Sequence, residues 1–392
     1  MSSSSHGDGL HDGMSLFLDR PYVAILVGYS DKVQLFDASR FPLEARAYVR
    51  GGGQEGREVV FCVSWNRESG EFAVAFYSSL LEVWDSQRCI CIAARKRCHK
   101  APVWAVAYGN RKLVSGGADR CVKVWDIDVN QETLIELCTF TGHRGNILAV
   151  VPDFPNQLLA SGGSDKTVRI FHWTHAVQQD SHSDGSTTAQ QGKESREQIL
   201  EAHTGTVNSL ALAVRDADNQ YRALFSAAND GTVRRFQLPE GQNTHTIPVH
   251  GALFRCLKVS EDGREVAATN GQKVQFFRQA KEGDYQDEGN VAFTTAGHAG
   301  TPVLGDVVEF CADFKCRLAL VGTTHGELIL LNMATRQIVH DAFKPFPDED
   351  RCPIHISADL GPDVVLSATG IHWTEHIGDV VPHSEEDCNH RE

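Results

Sequence analysis

Residues 113–126 read LVSGGADRCVKVWD, and the same pattern returns as LLASGGSDKTVRIFH over residues 158–172 and as LFSAANDGTVRRFQ over residues 224–237. In each copy a serine (Ser115, Ser161, Ser226) stands four residues before an aspartate (Asp119, Asp165, Asp230), and an aromatic ring (Trp125, Phe171, Phe236) follows that aspartate by six. A histidine (His99, His143, His203) precedes each aspartate by 20 to 27 positions. Between these landmarks residues 103–108 and 122–125 alternate apolar with polar, the period of short half-buried strands rather than of helices. Each copy therefore predicts a small antiparallel sheet with Gly, Asn and Asp turns. Such a sheet cannot cover both of its faces alone, so neighbouring copies must stack.

More divergent copies flank these three. One spans residues 15–50, with Asp31 and Phe36-Asp37, and the position of Ser15 predicts a complete first strand for it. A second runs through Trp65 and Trp84-Asp85, with Ser78 where an aspartate is expected. A sixth copy runs from His250 to Phe277 with Asn270 in the aspartate position, and a seventh from His298 to Asn332 with His325 there. A weaker eighth, from Ile354 to Trp373, carries the strand-like runs IHIS and VVLS and a closing His-Trp. The repeat thus covers nearly the whole chain and predicts an all-β architecture.

With Gly142-His143 ahead of one copy and Trp84-Asp85 and Trp125-Asp126 closing two others, the chain resembles the WD40-repeat family, whose copies run about 40 to 45 residues. The resemblance implies a β-propeller of seven or eight blades over residues 14–373. It also implies a hydrogen-bonded chain inside a blade made by His99, Ser115, Asp119 and Trp125. Partial versions follow at His143, Ser161 and Asp165 and at His203, Ser226 and Asp230, because Phe171 and Phe236 have no indole N–H to donate. A buried carboxylate needs donors, so Asp119→Ala is expected to cost about 2 to 4 kcal/mol. By the same resemblance partners dock on the top surface, read by the side chains flanking the first buried strand residue and by the one just before the aspartate. These are Pro102, Trp104 and Ala118; Asn146, Leu148 and Ser164; Thr206, Asn208 and Asn229. Trp104 stands foremost, since large aromatics are enriched among interface hot spots.

The chain of 392 residues carries a formal net charge of −14, with 51 acidic against 37 basic residues, which opposes general binding to nucleic acid. The local exception is Arg95, Lys96, Arg97 and Lys100. Eleven cysteines, an odd number without a disulfide-framework spacing, and no signal-peptide pattern suggest reduced thiols in cytosol or nucleus. No apolar run approaches the ~20 residues that span a bilayer. Residues 1–13 read as a disordered tail, residues 173–198 as a long polar loop, and residues 374–392 as an acidic tail.

Catalytic and cofactor signatures are weak. Gly51, Gly53 and Gly56 satisfy G-x-G-x-x-G, yet the following VVFCVSW reads as a strand where a dinucleotide site needs a helix. His372, Glu375 and His376 form H-x-x-E-H without the amphipathic helix a zinc peptidase requires. Cys89, Cys91, Cys98, Cys311 and Cys316 form no pair of C-x-x-C motifs and read as core thiols. Ser, His and Asp recur together in copy after copy, which marks a structural set rather than a single catalytic triad. The sequence therefore points to a non-catalytic scaffold or adaptor subunit that binds other proteins in a multisubunit complex, with no cofactor and no metal. A narrower alternative is a substrate receptor of a cullin-type ubiquitin ligase, weakened by Gln87 and Asp128 where such adaptors often carry an arginine two residues after Trp-Asp. A metal-dependent hydrolase using residues 372–376 is the enzyme alternative.

Overall fold

The protein is described by a computed structural model covering residues 24–29, 32–37, 44–50, 59–66, 69–173, 197–200, 203–213, 222–251, 254–280, 283–293, 307–314, 317–324, 327–338, 355–357, 364–367 and 370–373. The alternating runs form short strands that zigzag outward in antiparallel order. The first sheet holds β1 (Ala24–Tyr29), β2 (Lys32–Asp37) and β3 (Glu44–Arg50). The second holds β4 (Val60–Asn66), β5 (Glu71–Phe76), β6 (Leu81–Asp85) and β7 (Ile90–Arg95). The third holds β8 (Val103–Gly109), β9 (Lys112–Gly117), β10 (Val122–Asp128) and β11 (Thr133–Phe140). The fourth holds β12 (Ile147–Asp153), β13 (Leu158–Gly163), β14 (Val168–His172) and β15 (Glu197–Leu200). The fifth holds β16 (Val207–Ala213), β17 (Arg222–Ala228), β18 (Thr232–Leu238) and β19 (Gln242–Pro248). The sixth holds β20 (Cys256–Val259), β21 (Glu265–Thr269), β22 (Lys273–Gln279) and β23 (Tyr285–Ala292). The seventh holds β24 (Val307–Asp313), β25 (Leu318–Thr323), β26 (Leu328–Asn332) and β27 (Gln337–Ile338).

Three further strands follow, β28 (His355–Ser357), β29 (Val364–Ser367) and β30 (Gly370–Trp373). β28 does not begin a blade of its own. It pairs antiparallel with β1 through Leu26 and Ser357, Val27 and Ile356, and Gly28 and His355, becoming the innermost strand of the first sheet. The innermost strands β4, β8, β12, β16, β20, β24 and β28 are neighbours in that order, and β28 lies against β4, so the ring closes on itself. The described residues therefore form a propeller of seven four-stranded blades plus a two-stranded hairpin, β29 with β30. The weaker eighth copy is split accordingly: its IHIS run completes the first blade, and its remaining strands form the hairpin. Ser15, expected to open the first blade's own inner strand, lies outside the described residues.

Apolar side chains pack between blades rather than inside a single blade. Ala73, Ala75, Leu81 and Val83 of the second blade meet Val103, Val106, Leu113 and Trp125 of the third. Val114, Val122, Val124 and Phe140 of the third meet Ile147, Leu159 and Phe171 of the fourth. Each blade is a wedge whose two faces are buried by different neighbours, which is why copies must stack. The Ser-Gly-Gly of the third and fourth blades follows from the same packing. A Cβ on Gly116 would sit 2.5 Å from Ile147 Cγ2 in the next blade, and one on Gly162 would sit 2.5 Å from Val207 Cγ1.

The expectation of a polar loop over residues 173–198 does not hold at either end. Trp173 is buried against Phe154, and Glu197 and Gln198 already belong to β15, paired with Phe171 and Ile170. Residues 174–196 lie outside the described residues, as do both tails expected at 1–13 and 374–392.

Candidate docking face

In a four-stranded meander the turn between the second and third strands lies at the same end as the start of the first and the end of the fourth. The repeat places its aspartate in that turn and its histidine in the connection from the preceding blade. The two side chains thus meet at one face of the propeller. His99 Nδ1 lies 2.9 Å from Asp119 Oδ1, and His99 Nε2 lies 2.7 Å from Ser115 Oγ. Trp125 Nε1 donates to the same Ser115 Oγ at 2.8 Å. The second set joins His143 to Asp165 at 2.8 Å and to Ser161 at 2.7 Å, and the third joins His203 to Asp230 at 2.9 Å and to Ser226 at 2.6 Å. With Nδ1–H donating to the carboxylate, Nε2 accepts the serine O–H. Ser115 Oγ then accepts the indole N–H, a donor that Phe171 and Phe236 do not provide.

Each carboxylate also draws on the backbone. Lys100 N–H donates to Asp119 at 2.9 Å, Arg144 N–H to Asp165 at 2.8 Å and Thr204 N–H to Asp230 at 2.9 Å. Thr167 and Thr232 add hydroxyl donors at 2.9 and 2.7 Å. Burial alone would raise these carboxyl groups. The donors outweigh it and hold Asp119 and Asp165 below the ordinary carboxylate range and Asp230 at about 2. Burial lowers His143 and His203 despite the attraction of their aspartates. These sets are stands, not reaction centres: each ring and hydroxyl is spent on an internal partner.

What the stands present is set by a bulge. In the second to fifth blades the innermost strand skips one residue in its pairing, between Val60 and Cys62, Val103 and Ala105, Ile147 and Ala149, and Val207 and Ser209. A bulge leaves one residue out of the ladder and re-aims its side chain. The bulged residues are Phe61, Trp104, Leu148 and Asn208, and three of them are positions the sequence singled out. The other two positions of each triplet are tied by a backbone bond. Ala118 N–H donates to Pro102 O at 2.9 Å, Ser164 N–H to Asn146 O at 2.9 Å and Asn229 N–H to Thr206 O at 2.8 Å.

The triplets differ in what they leave available. Asn146 and Ser164 are exposed, and Leu148 is half-buried. Asn208 and Asn229, expected to read a partner, are engaged with the next blade. Asn208 Nδ2 donates to Asn229 Oδ1 and to Phe254 O, both at 2.7 Å, and Phe254 N–H donates to Asn229 Oδ1 at 3.0 Å. Trp104 is half-buried, and its indole N–H is covered with no hydrogen-bond partner among the described residues.

Trp104 is held by a residue that the sequence reading missed. Its ring meets Phe61 edge-to-face with centroids 4.5 Å apart, and Phe61 in turn lies 6.0 Å from the ring of Tyr77. Phe61 and Tyr77 belong to the second blade's own triplet, since Tyr77 N–H donates to Val59 O at 2.9 Å as in the other blades. Tyr77 is 56% and Val59 51% exposed, both more than half open to solvent. The same offsets applied to the divergent second copy would have found them. Ser78 in place of the aspartate hid the landmark, and the turn is instead pinned by Ser79, whose Oγ donates to Ala101 O at 2.5 Å and whose carbonyl accepts from Cys98 N–H at 3.0 Å.

Burial pushes the thiols of Cys62, Cys91, Cys98 and Cys138 up to about 12. Among the described residues no three His, Cys, Asp or Glu side chains are grouped to hold a metal ion. His372 lies in β30, while Glu375 and His376 lie outside the described residues.

Comparison with known proteins recognises three copies of the repeat. The family described as WD domain, G-beta repeat matches residues 91–126, 135–172 and 194–236. Each match takes the outermost strand of one blade with the three inner strands of the next, so every repeat fastens two blades together. The chain is 26% identical over 247 residues to "Cell division cycle 20.1, cofactor of APC complex" of Arabidopsis thaliana, covering 63% of this chain and 49% of that protein. It is 29% identical over 122 residues to "B-type cell cycle switch protein ccs52A" of Medicago truncatula, covering 31% of this chain and 24% of that one. "Protein FIZZY-RELATED 2" of Arabidopsis thaliana is 30% identical over 125 residues, covering 31% and 25%. The chain spans about half the length of the first of these relatives and about a quarter of the other two.

Proposed function

We propose that this WD40-repeat chain is a non-catalytic adaptor subunit of a multiprotein assembly, working in the cytosol or nucleus, and that it holds its partner on the upper face of the second to fourth blades. The observation that carries this reading is the aromatic step of Tyr77, Phe61 and Trp104, flanked by exposed Val59 and presented at bulged and turn positions of a closed, stiff ring. Aromatic side chains at a rigid rim supply contact area at low entropic cost. The relative named as a cofactor of the APC complex supports an adaptor role within a large complex.

The test is affinity purification of the full chain beside a Val59→Ser/Tyr77→Ala variant, whose changed side chains are more than half exposed and contribute little to the fold. A partner present in fixed ratio with the wild type and lost with the variant supports the reading. Recovery of the same partners in the same ratio with both proteins overturns it.

A further inference from the structure

We infer that the segment docking on this face is an acidic stretch of a partner polypeptide carrying an apolar or aromatic anchor residue, an inference that rests on the adaptor reading and adds the partner's chemistry to it. The chain as a whole carries −14, yet exposed cations line the upper face from the connection after the second blade through the third and fourth blades. The internal stands create this pattern. The residue after each histidine gives its N–H to the aspartate and turns its side chain to solvent; it is Lys100 in the third blade and Arg144 in the fourth. The residue after each aspartate occupies the corner of the turn; it is Arg120 in the third blade and Lys166 in the fourth. All four are exposed, and among the described residues none is in an ion pair.

The corner position has a left-handed backbone, with φ of 67° at Arg120 and 70° at Lys166, where the fifth blade has Gly231 at 79°. A side chain there costs conformational energy that glycine does not, so the two cations occupy places where the turn itself favours no side chain. Arg97, exposed in the connection between the second and third blades, adds a fifth charge at φ 54°. That connection is bonded to the turn bearing Tyr77 through Cys98 and Ala101 to Ser79. The cations and the aromatic step therefore form one surface. The carboxylates beneath do not present a competing acidic surface, since the side chains of Asp119 and Asp165 are only 7% exposed and saturated with internal donors. An extended segment with an anchor over Phe61 and Trp104 and carboxylates running toward the fourth blade matches both features. Charge of this kind sets partner choice and association rate.

The test is selection of a random peptide display library on the full chain, followed by fluorescence anisotropy of the best-enriched peptide with the wild type and with Arg120→Glu/Arg144→Glu. Enriched sequences are expected to combine an apolar or aromatic residue with an excess of Asp and Glu. Affinity is expected to fall about tenfold on charge reversal and to weaken with added salt. Enrichment without acidic bias, or a change below about twofold in the folded variant, as checked by its circular dichroism, overturns the inference. So does a 20-nucleotide poly(U) probe that binds the wild type more tightly than the best peptide. If the co-purifying partner is lost with Val59→Ser/Tyr77→Ala but retained with the charge reversal, the adaptor reading stands and the acidic partner falls. If both variants retain it, both readings fall.

Discussion

The three internal stands allow one deletion to be compared in two settings. Ser115 and Ser161 are both fully buried, hold equivalent places in adjacent blades, and both donate to a histidine Nε2 at 2.7 Å. Only Ser115 also accepts a hydrogen bond, from Trp125 Nε1, on a ring that is 1% exposed. Ser161→Ala removes one bond and leaves an imidazole nitrogen without its donor, a loss of about 1 to 1.5 kcal/mol. Ser115→Ala does the same and in addition strands a buried indole N–H, which costs about 1 to 3 kcal/mol more. The total for Ser115→Ala is thus about 2 to 4.5 kcal/mol, and Ser226→Ala should behave like Ser161→Ala because Phe236 has no N–H. Urea denaturation followed by far-ultraviolet circular dichroism measures each difference, provided the slope is unchanged among the variants. Equal shifts for Ser115→Ala and Ser161→Ala, within about 0.5 kcal/mol, would refute the claim that the indole depends on Ser115.

Acid should destabilise the propeller in two stages of the same sign. His143 and His203 are held below their ordinary value, so as pH falls below about 6.5 the unfolded chain takes up protons that the folded one refuses. Asp119, Asp165 and Asp230 are likewise lowered, so further stability is lost below about 4 and on toward the value of about 2 held by Asp230. Melting temperature should therefore fall from pH 7 to 5 and again below 4, and a flat profile from 7 to 5 would contradict the buried neutral histidines. At the blade interface, Gly116→Ala forces a methyl group against Ile147 and should cost about 1 to 3 kcal/mol by overpacking, measured as a lower urea midpoint. An unchanged midpoint would show that the interface has room to spare.

Repetition made the inner stands legible. The serine, the aspartate and the aromatic ring recur at constant spacing, with a histidine 20 to 27 positions ahead, because each copy must satisfy a buried carboxylate with the same local turn, and local turns are short-range in sequence. The reading weakened where the aspartate was replaced. At Ser78 the landmark vanished and with it Val59, Phe61 and Tyr77, although the backbone there follows the same course as in the other blades. The amides of Asn208 and Asn229 were legible as positions but not as an interblade clasp, because Phe254 comes from the next blade.

The sequence by itself determined the strand period and the blade as the unit, since both arise from residues close together in the chain, while the aspartate-centred hydrogen bonds were implied by the family resemblance. Only the tertiary structure decided that seven blades close the ring, because β28 and β1 lie more than 320 residues apart and no local pattern records their register. It also decided which side chains share a surface. Trp104, Phe61 and Tyr77 come from two blades, and the cations beside them from loops spread over three; their proximity depends on how the wedges pack around the axis.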